Sequence, residues 1–281
     1  MLAIEILSII ELVFFFPALL AAILVVYKHG TGKRLGWRFL VMICLFRVIG
    51  GICAIVWAHT SSNGALIAYE VMNSFGLSAI IYTALGLLHR VEDGMGGRGV
   101  SFKVFRVLAL PGLAGLILSI VGATNVLGNS SNSSSFSSGM AELKAAVILF
   151  LTVYVADIVI TAHAFFNITY VQDGEHRLLY AVTVTLPFMA VRIAYSLLCV
   201  FLNKHNIFST WNTSALPILV HGLMGVTMEA IVVVIFLFVG FMTASISRVS
   251  GLAPPTTDGK LYAKAERKVR PPLYDLGARS V

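Results

Sequence analysis

Charge is what this sequence has least of. Lys, Arg, Asp and Glu make up 12% of its 281 residues, about half the share usual in a soluble globular domain. With 58% of the residues apolar, the chain could not cover itself against water. Cysteine is also scarce. Cys44, Cys53 and Cys199 fall inside apolar runs, which excludes a disulfide framework in the loops and leaves them as small packing residues. His29, His59, His89, His163, His176, His205 and His221 show neither His-x-x-x-His nor His-Glu-x-x-His spacing, so no helical zinc-hydrolase site is written here. Gly94, Gly96, Gly97 and Gly99 cluster without a strand before them, and no Gly-x-Ser-x-Gly elbow occurs. Neither metal nor cofactor is expected, and the missing site chemistry argues against an enzyme.

What is abundant is apolar sequence in runs of about 20 residues, the length that crosses a hydrocarbon core as a helix. The pattern predicts an all-α fold, a seven-transmembrane-helix bundle over residues 1–247, with spans near 4–27, 37–58, 64–88, 102–125, 141–168, 178–202 and 215–247. Residues 248–281 read as a basic, flexible cytosolic tail. The first run has no positive segment before it and basic residues after it, as in a retained helix rather than a cleaved signal. Gly128–Gly139, rich in Ser and Asn, reads as a flexible loop. Pro17, Pro111 and Pro187 are expected to kink helices 1, 4 and 6.

The basic residues set the orientation. Lys28, Lys33, Arg34, Arg38, Arg90, Arg98, Lys103, Arg106 and Arg177 fall in alternate connections, and seven more occupy the tail. The other connections hold only Lys144 and Lys204, while Arg47 and Arg192 lie mid-span. By the positive-inside rule the N-terminus is outside and the C-terminus cytosolic. The net charge of +7 therefore points to a lipid bilayer as partner and not to nucleic acid. In the tail, Leu261, Ala265 and Val269 recur among lysines and arginines. That spacing suits an amphipathic helix on anionic inner-leaflet lipid, or a solvated segment free to meet a cytosolic partner. The glycosylation sequons at Asn129, Asn132 and Asn212 fall in outer loops, and a fourth at Asn167 falls inside.

Ionisable residues within the spans are costly, on the order of 3 kcal/mol each at mid-bilayer, and they point to pairing or function. Glu11, Arg47, Glu70, Asp157, Arg192 and Glu229 lie in helices 1, 2, 3, 5, 6 and 7. At helical periodicity Arg47 shares a face with Gly50, Gly51, Ala54 and Ala58. Glu70 aligns with Asn73, Ser74 and Ser78. Arg192 aligns with Thr185, Tyr195, Ser196 and Cys199, and Glu229 aligns with Gly222, Gly225 and Gly240. These faces must turn inward, because lipid cannot satisfy them. The expected pairs are Arg47 with Glu70 or Glu11, and Arg192 with Asp157 or Glu229. Four acids against two arginines give either a lock on the bundle's register or, from the surplus, a ligand or ion site. Acid, arginine and acid follow one another in helices 1–3 and again in 5–7, a faint echo of a parallel repeat.

Several motifs resemble those of fungal seven-transmembrane proteins that carry a domain of unknown function. They are His29-Gly30 with Gly36-Trp37, Arg47-Val48-Ile49-Gly50, Gly76-Leu77-Ser78, Gly86-Leu87-Leu88-His89, Leu186-Pro187-Phe188, Arg192-Ile193-Ala194-Tyr195 and Glu229-Ala230. The likeness covers most of residues 1–245 and excludes the tail. Where the group carries Gly-Leu-Ser-Pro, Ala79 replaces the proline. The resemblance implies a fungal membrane protein with Arg47, Arg192 and Glu229 at motif positions, and it implies no activity.

Seven helices with the N-terminus outside suggest a receptor-like sensor of a small apolar ligand, in the plasma membrane or another secretory-pathway membrane. An arginine motif closing helix 3 and an outer cysteine pair, common in receptors, are missing. The alternatives are a carrier or lipid translocator working through buried carboxylates, and a structural membrane protein. Enzymatic deglycosylation should raise the protein's gel mobility through loss of glycan at Asn129 or Asn132. Asn212 lies close to the membrane surface, and Asn167 should stay bare. Glycan at Asn167 would overturn the orientation.

Overall fold

A computed structural model describes residues 2–29, 35–95, 99–128, 133–171, 174–202, 208 and 214–243. Among these, seven helices are long and apolar enough to cross a membrane. They are α1 (Leu2–His29), α2 (Leu35–Thr60), α3 (Asn63–Gly94), α4 (Phe102–Gly128), α5 (Ser133–Phe166), α6 (His176–Phe201) and α7 (Ala215–Met242). There is no strand among the described residues. The chain is a multi-pass integral membrane protein by the length and composition of these helices.

The helices are apolar all round because lipid and core demand the same side chains. In α1, Phe15, Ala18, Ala22 and Val25 are buried at helical spacing, while Val13, Leu20 and Leu24 stand exposed on the opposite face. Neighbours in sequence pack side by side, and α7 closes against α1 and α6. Helix α3 runs through the middle, touching α2, α4, α5, α6 and α7, and it is the most buried of the seven. At the end opposite the N-terminus, Trp37, Leu88, Val91, Phe105, Leu178 and Phe236 belong to one buried apolar cluster. A Cβ on Gly36 would lie 3.0 Å from the Leu87 backbone, and one on Gly240 would lie 2.9 Å from the Trp37 ring. The same end is pinned by basic side chains on carbonyls that α7 leaves open. Lys28 donates to the Phe241 carbonyl, and Arg177 reaches that of Met242 at 3.4 Å.

Three boundaries differ from the sequence expectation. Helix α5 begins at Ser133, so most of the described part of Gly128–Gly139 is helical and not a loop. The reason is a close crossing with α4. A Cβ on Gly139 would stand 2.8 Å from the Gly122 carbonyl oxygen, and one on Gly122 would stand 2.9 Å from that of Gly139. One turn on, the Asn125 amide donates to Glu142 at 2.9 Å. Two glycines let the backbones touch, and the contact carries the serines into the helix. Second, α3 extends beyond residue 88 to Gly94, held by polar contacts described below. Third, α7 ends at Met242, short of residue 247. Pro17, Pro111 and Pro187 all lie inside helices that continue past them. The sequons at Asn129, Asn132 and Asn212, and the tail 248–281, lie outside the described residues.

Gly139→Val should lower stability by about 1–3 kcal/mol, as expected for overpacking a tight contact, measured by thermal unfolding in detergent micelles. Ser134→Val on the exposed start of α5 should leave it nearly unchanged.

Candidate functional site

The polar faces meet at one point inside the bundle. Glu229 of α7 is fully buried and divides its two oxygens between two arginines. Arg47 Nε donates to Oε2 at 2.5 Å, and Arg192 Nε donates to Oε1 at 2.6 Å. Asn73 of α3 joins the same pair from the other side. Its Oδ1 accepts from Arg47 Nη2 at 3.3 Å and from Arg192 Nη2 at 3.0 Å. Glu11 of α1 lies 3.5 Å from Arg47 Nη1, and Arg192 Nη1 donates to the Ser196 hydroxyl at 2.8 Å. Five helices thus share one network, in which two guanidinium groups are balanced by Glu229 and Glu11. The carboxylate needs room, and Gly76 supplies it. A Cβ there would lie 3.2 Å from Glu229 Oε2 and 3.5 Å from Arg47 Nε.

A second polar chain runs beside the first. His221 bridges two tyrosines, with Nε2 2.9 Å from the Tyr69 hydroxyl and Nδ1 3.1 Å from that of Tyr195. All three residues are buried. In a neutral imidazole one ring nitrogen donates and the other accepts, so the two hydroxyls play opposite roles. His221 opens a π-helical stretch, His221–Thr227, within α7. A π turn takes up one extra residue, which brings His221 onto the Glu229 face. An unbroken α-helix would set Gly222 there.

The expected pairs are met in part. Arg47 contacts Glu11, and Arg192 contacts Glu229, but Glu229 serves both arginines. Arg47 does not pair with Glu70, whose place is on a cavity wall beside Asn73 and Arg192. Nor does Arg192 pair with Asp157. Asp157 lies nine residues from the end of α5, and Arg192 sixteen residues along α6 from the connection that joins them. At 1.5 Å per residue that separates them by about 10 Å in depth. Asp157 is fully buried, and neither carboxyl oxygen has a hydrogen-bond partner.

The cavity, of about 90 Å³, lies between α3, α4, α5 and α6, towards the end that carries the N-terminus. Asn73, Ser74, Arg192, Tyr195, Ser196 and Cys199 line one side, and apolar residues such as Val126, Leu143, Val147 and Phe150 line the other. At the opposite end, Glu92 is buried in the last turn of α3. It accepts from the Val100 backbone N–H at 2.8 Å and lies 3.1 Å from His163 Nδ1. Beside it Arg90 Nη2 donates to Glu175 at 2.5 Å. These contacts extend α3 to Gly94 and tie the α3–α4 and α5–α6 connections together. No group of three His, Cys, Asp or Glu residues among the described residues could hold a metal.

Residues 3–246 match the family profile DUF7702, a domain of unknown function. The chain belongs to that family. The DUF7702 match takes in all seven spans together with Glu11, Arg47, Asn73, Arg192, His221 and Glu229. No curated protein and no solved structure matches.

Tyr69, His221 and Glu92 were missed by reasoning from sequence. The fourfold spacing of Tyr69 and Asn73 was a usable signal for the first. The wheel for α7 could not have found His221, because it assumes an unbroken α-helix.

Glu229→Gln should destabilise the protein by about 3–5 kcal/mol, because it leaves two buried guanidinium groups sharing one carboxylate. Asp157→Asn, which breaks no hydrogen bond, should cost under about 1 kcal/mol. Denaturant unfolding in micelles checks the order, and the reverse ranking would refute this assignment.

Proposed function

We propose that the protein is a receptor-like membrane sensor, without enzymatic activity, whose ligand site is the cavity between α3 and α6. One observation carries the reading: Arg192 and Tyr195 belong at once to the cavity wall and to the two polar chains. Arg192 holds Glu229, and Tyr195 holds His221. Occupancy of the cavity is therefore felt by α7 at two places, the first residue of its π-helical stretch and Glu229 just beyond it. From there α7 runs to the far end, where Lys28 and Arg177 hold its last carbonyls. The wall is mainly apolar with one polar side, so the ligand is a small molecule with an apolar body and a polar group rather than a wholly apolar one.

The charge asymmetry supports a cytosolic far end. Lys28, Arg38, Lys103, Arg106 and Arg177 are all exposed there. With the outer-loop sequons, this reading makes the protein a glycoprotein of the plasma membrane or another secretory-pathway membrane, with the motif likeness favouring a fungal source. The basic tail is then available to anionic inner-leaflet lipid or a cytosolic partner.

Asp157 favours a second reading. A fully buried carboxyl without hydrogen-bond partners, below the level of the cavity, suits a carrier that moves a proton or small cation.

The two readings separate on Ala146→Phe, which fills the cavity from α5. Under the sensor reading, hydrogen–deuterium exchange in nanodiscs should change at His221–Thr227 as well as around the substitution. Change confined to α4 and α5 would overturn the reading. Proton flux in proteoliposomes that is lost in Asp157→Asn would establish the carrier instead.

A further inference from the structure

Two cations converge on the C-terminal end of α7. Lys28 of α1 donates to the Phe241 carbonyl, and Arg177 of α6 donates to that of Met242 at 3.4 Å. The two carbonyls belong to consecutive residues, so the charged groups stand within roughly 10 Å of one another. An open helix end carries about half a negative charge, which leaves most of two positive charges unanswered. Among the described residues no carboxylate lies in ion-pair range of either cation. Glu175 at this end is taken by Arg90, and Glu92 by His163. Donors are in surplus as well. A lysine has three N–H bonds to give and an arginine five, and each spends one here. Both side chains are exposed, so the remaining donors are open to whatever lies beside the bundle.

Next to the cations the surface turns apolar. Helix α7 lies between α1 and α6, and all three present exposed apolar side chains here. Leu24 and Tyr27 do so on α1, Phe238 on α7, and Tyr180 and Val184 on α6. Tyr180 and Val184 follow Arg177 at intervals of three and four residues, which sets them on one stripe with it. Tyr27 and Tyr180 suit the headgroup level, where an amphipathic ring meets both lipid and water. Lys103 and Arg106 are exposed too, but both belong to α4, and Arg106 already lies over the Phe102 ring at 4.7 Å. Only at the end of α7 do cations from two helices meet above an apolar seam, among the described residues.

We infer that the α1–α7–α6 seam binds one anionic phospholipid, its phosphate between Lys28 and Arg177 and its acyl chains along Phe238 and the exposed stripe of α6. The phosphate brings the negative charge that the helix end lacks and accepts from both spare sets of donors. A zwitterionic lipid carries the same phosphate, but its own cation returns the positive charge. The site is separate from the cavity and stands whether or not the cavity holds a ligand.

The full-length protein in a non-ionic detergent is titrated with phosphatidylglycerol or phosphatidylcholine, and bound lipid is counted by native mass spectrometry. The first phosphatidylglycerol should bind about thirtyfold more tightly than phosphatidylcholine, about fivefold for each cation. Lys28→Gln with Arg177→Gln keeps an amide donor for each carbonyl and removes both charges, so it should erase that preference. Each single variant should lose about fivefold. Lys28→Arg with Arg177→Lys keeps both charges and should bind like the unaltered protein. Lys103→Gln with Arg106→Gln removes as much charge from α4 and should leave the first phosphatidylglycerol in place. An equal loss in the α4 pair would show diffuse attraction to a basic end and would overturn the site. So would equal binding of the two lipids by the unaltered protein. Inorganic phosphate has the charge without the chains, and displacement of the lipid by an equimolar amount of it would overturn the lipid assignment in favour of a free anion. If the double variant does not fold, the single variants and the two lipids on the unaltered protein decide the matter.

Discussion

Inside a bilayer an arginine has no solvent to fall back on, and this bundle holds two of them at mid-depth. Both are answered by one carboxylate. Glu229 gives an oxygen to each guanidinium, Asn73 closes the square from the opposite side, and Glu11 takes the remaining charge of Arg47. Desolvation of such groups costs several kcal/mol per ion, and only good geometry with every nitrogen engaged offsets it. The requirement reaches outward through the fold. Gly76 must be bare so that the carboxylate fits, and α1, α2, α3, α6 and α7 must meet at one level. The bundle can shift elsewhere by packing apolar surface differently, but not at this point.

The two ends of the molecule are built differently around that point. Away from the N-terminus the helices meet through glycines, tryptophan and leucine, and the connections are tied by Glu92 and by Arg90 with Glu175. Towards the N-terminus α4 and α5 still touch at Gly122 and Gly139, but α3 and α6 leave a cavity against that pair. Arg192 and Tyr195 sit on the border between the tight half and the loose half. The cavity wall is therefore linked to α7 by hydrogen bonds through Arg192 and Tyr195.

The seven spans were legible in the sequence because lipid imposes a single rule on every residue of a long run. The charged residues were legible for the same reason, since each breaks that rule. Their pairing was not. A helical wheel gives direction without depth, and depth is what separates Asp157 from Arg192 and puts Glu229 between both arginines. The start of α5 was hidden by composition. Five serines between Ser133 and Ser138 and the neighbouring glycine would look like a loop, save that Phe136 interrupts the serines and Gly139 meets Gly122. The family profile covers residues 3–246 and adds no chemistry.

The π-helical stretch His221–Thr227 has a consequence for chain length. A wide turn accommodates one residue more than an α-helix of the same rise, so α7 carries slack in that stretch. Removing a residue there lets the turn tighten while Glu229 and Gly240 keep their places against α2 and α6. Removing one from α3 or α6 swings every side chain beyond the cut through about 100° and scatters the contacts that those helices make. Among the described spans, α7 is therefore the one whose length can vary by a residue without the bundle losing its register.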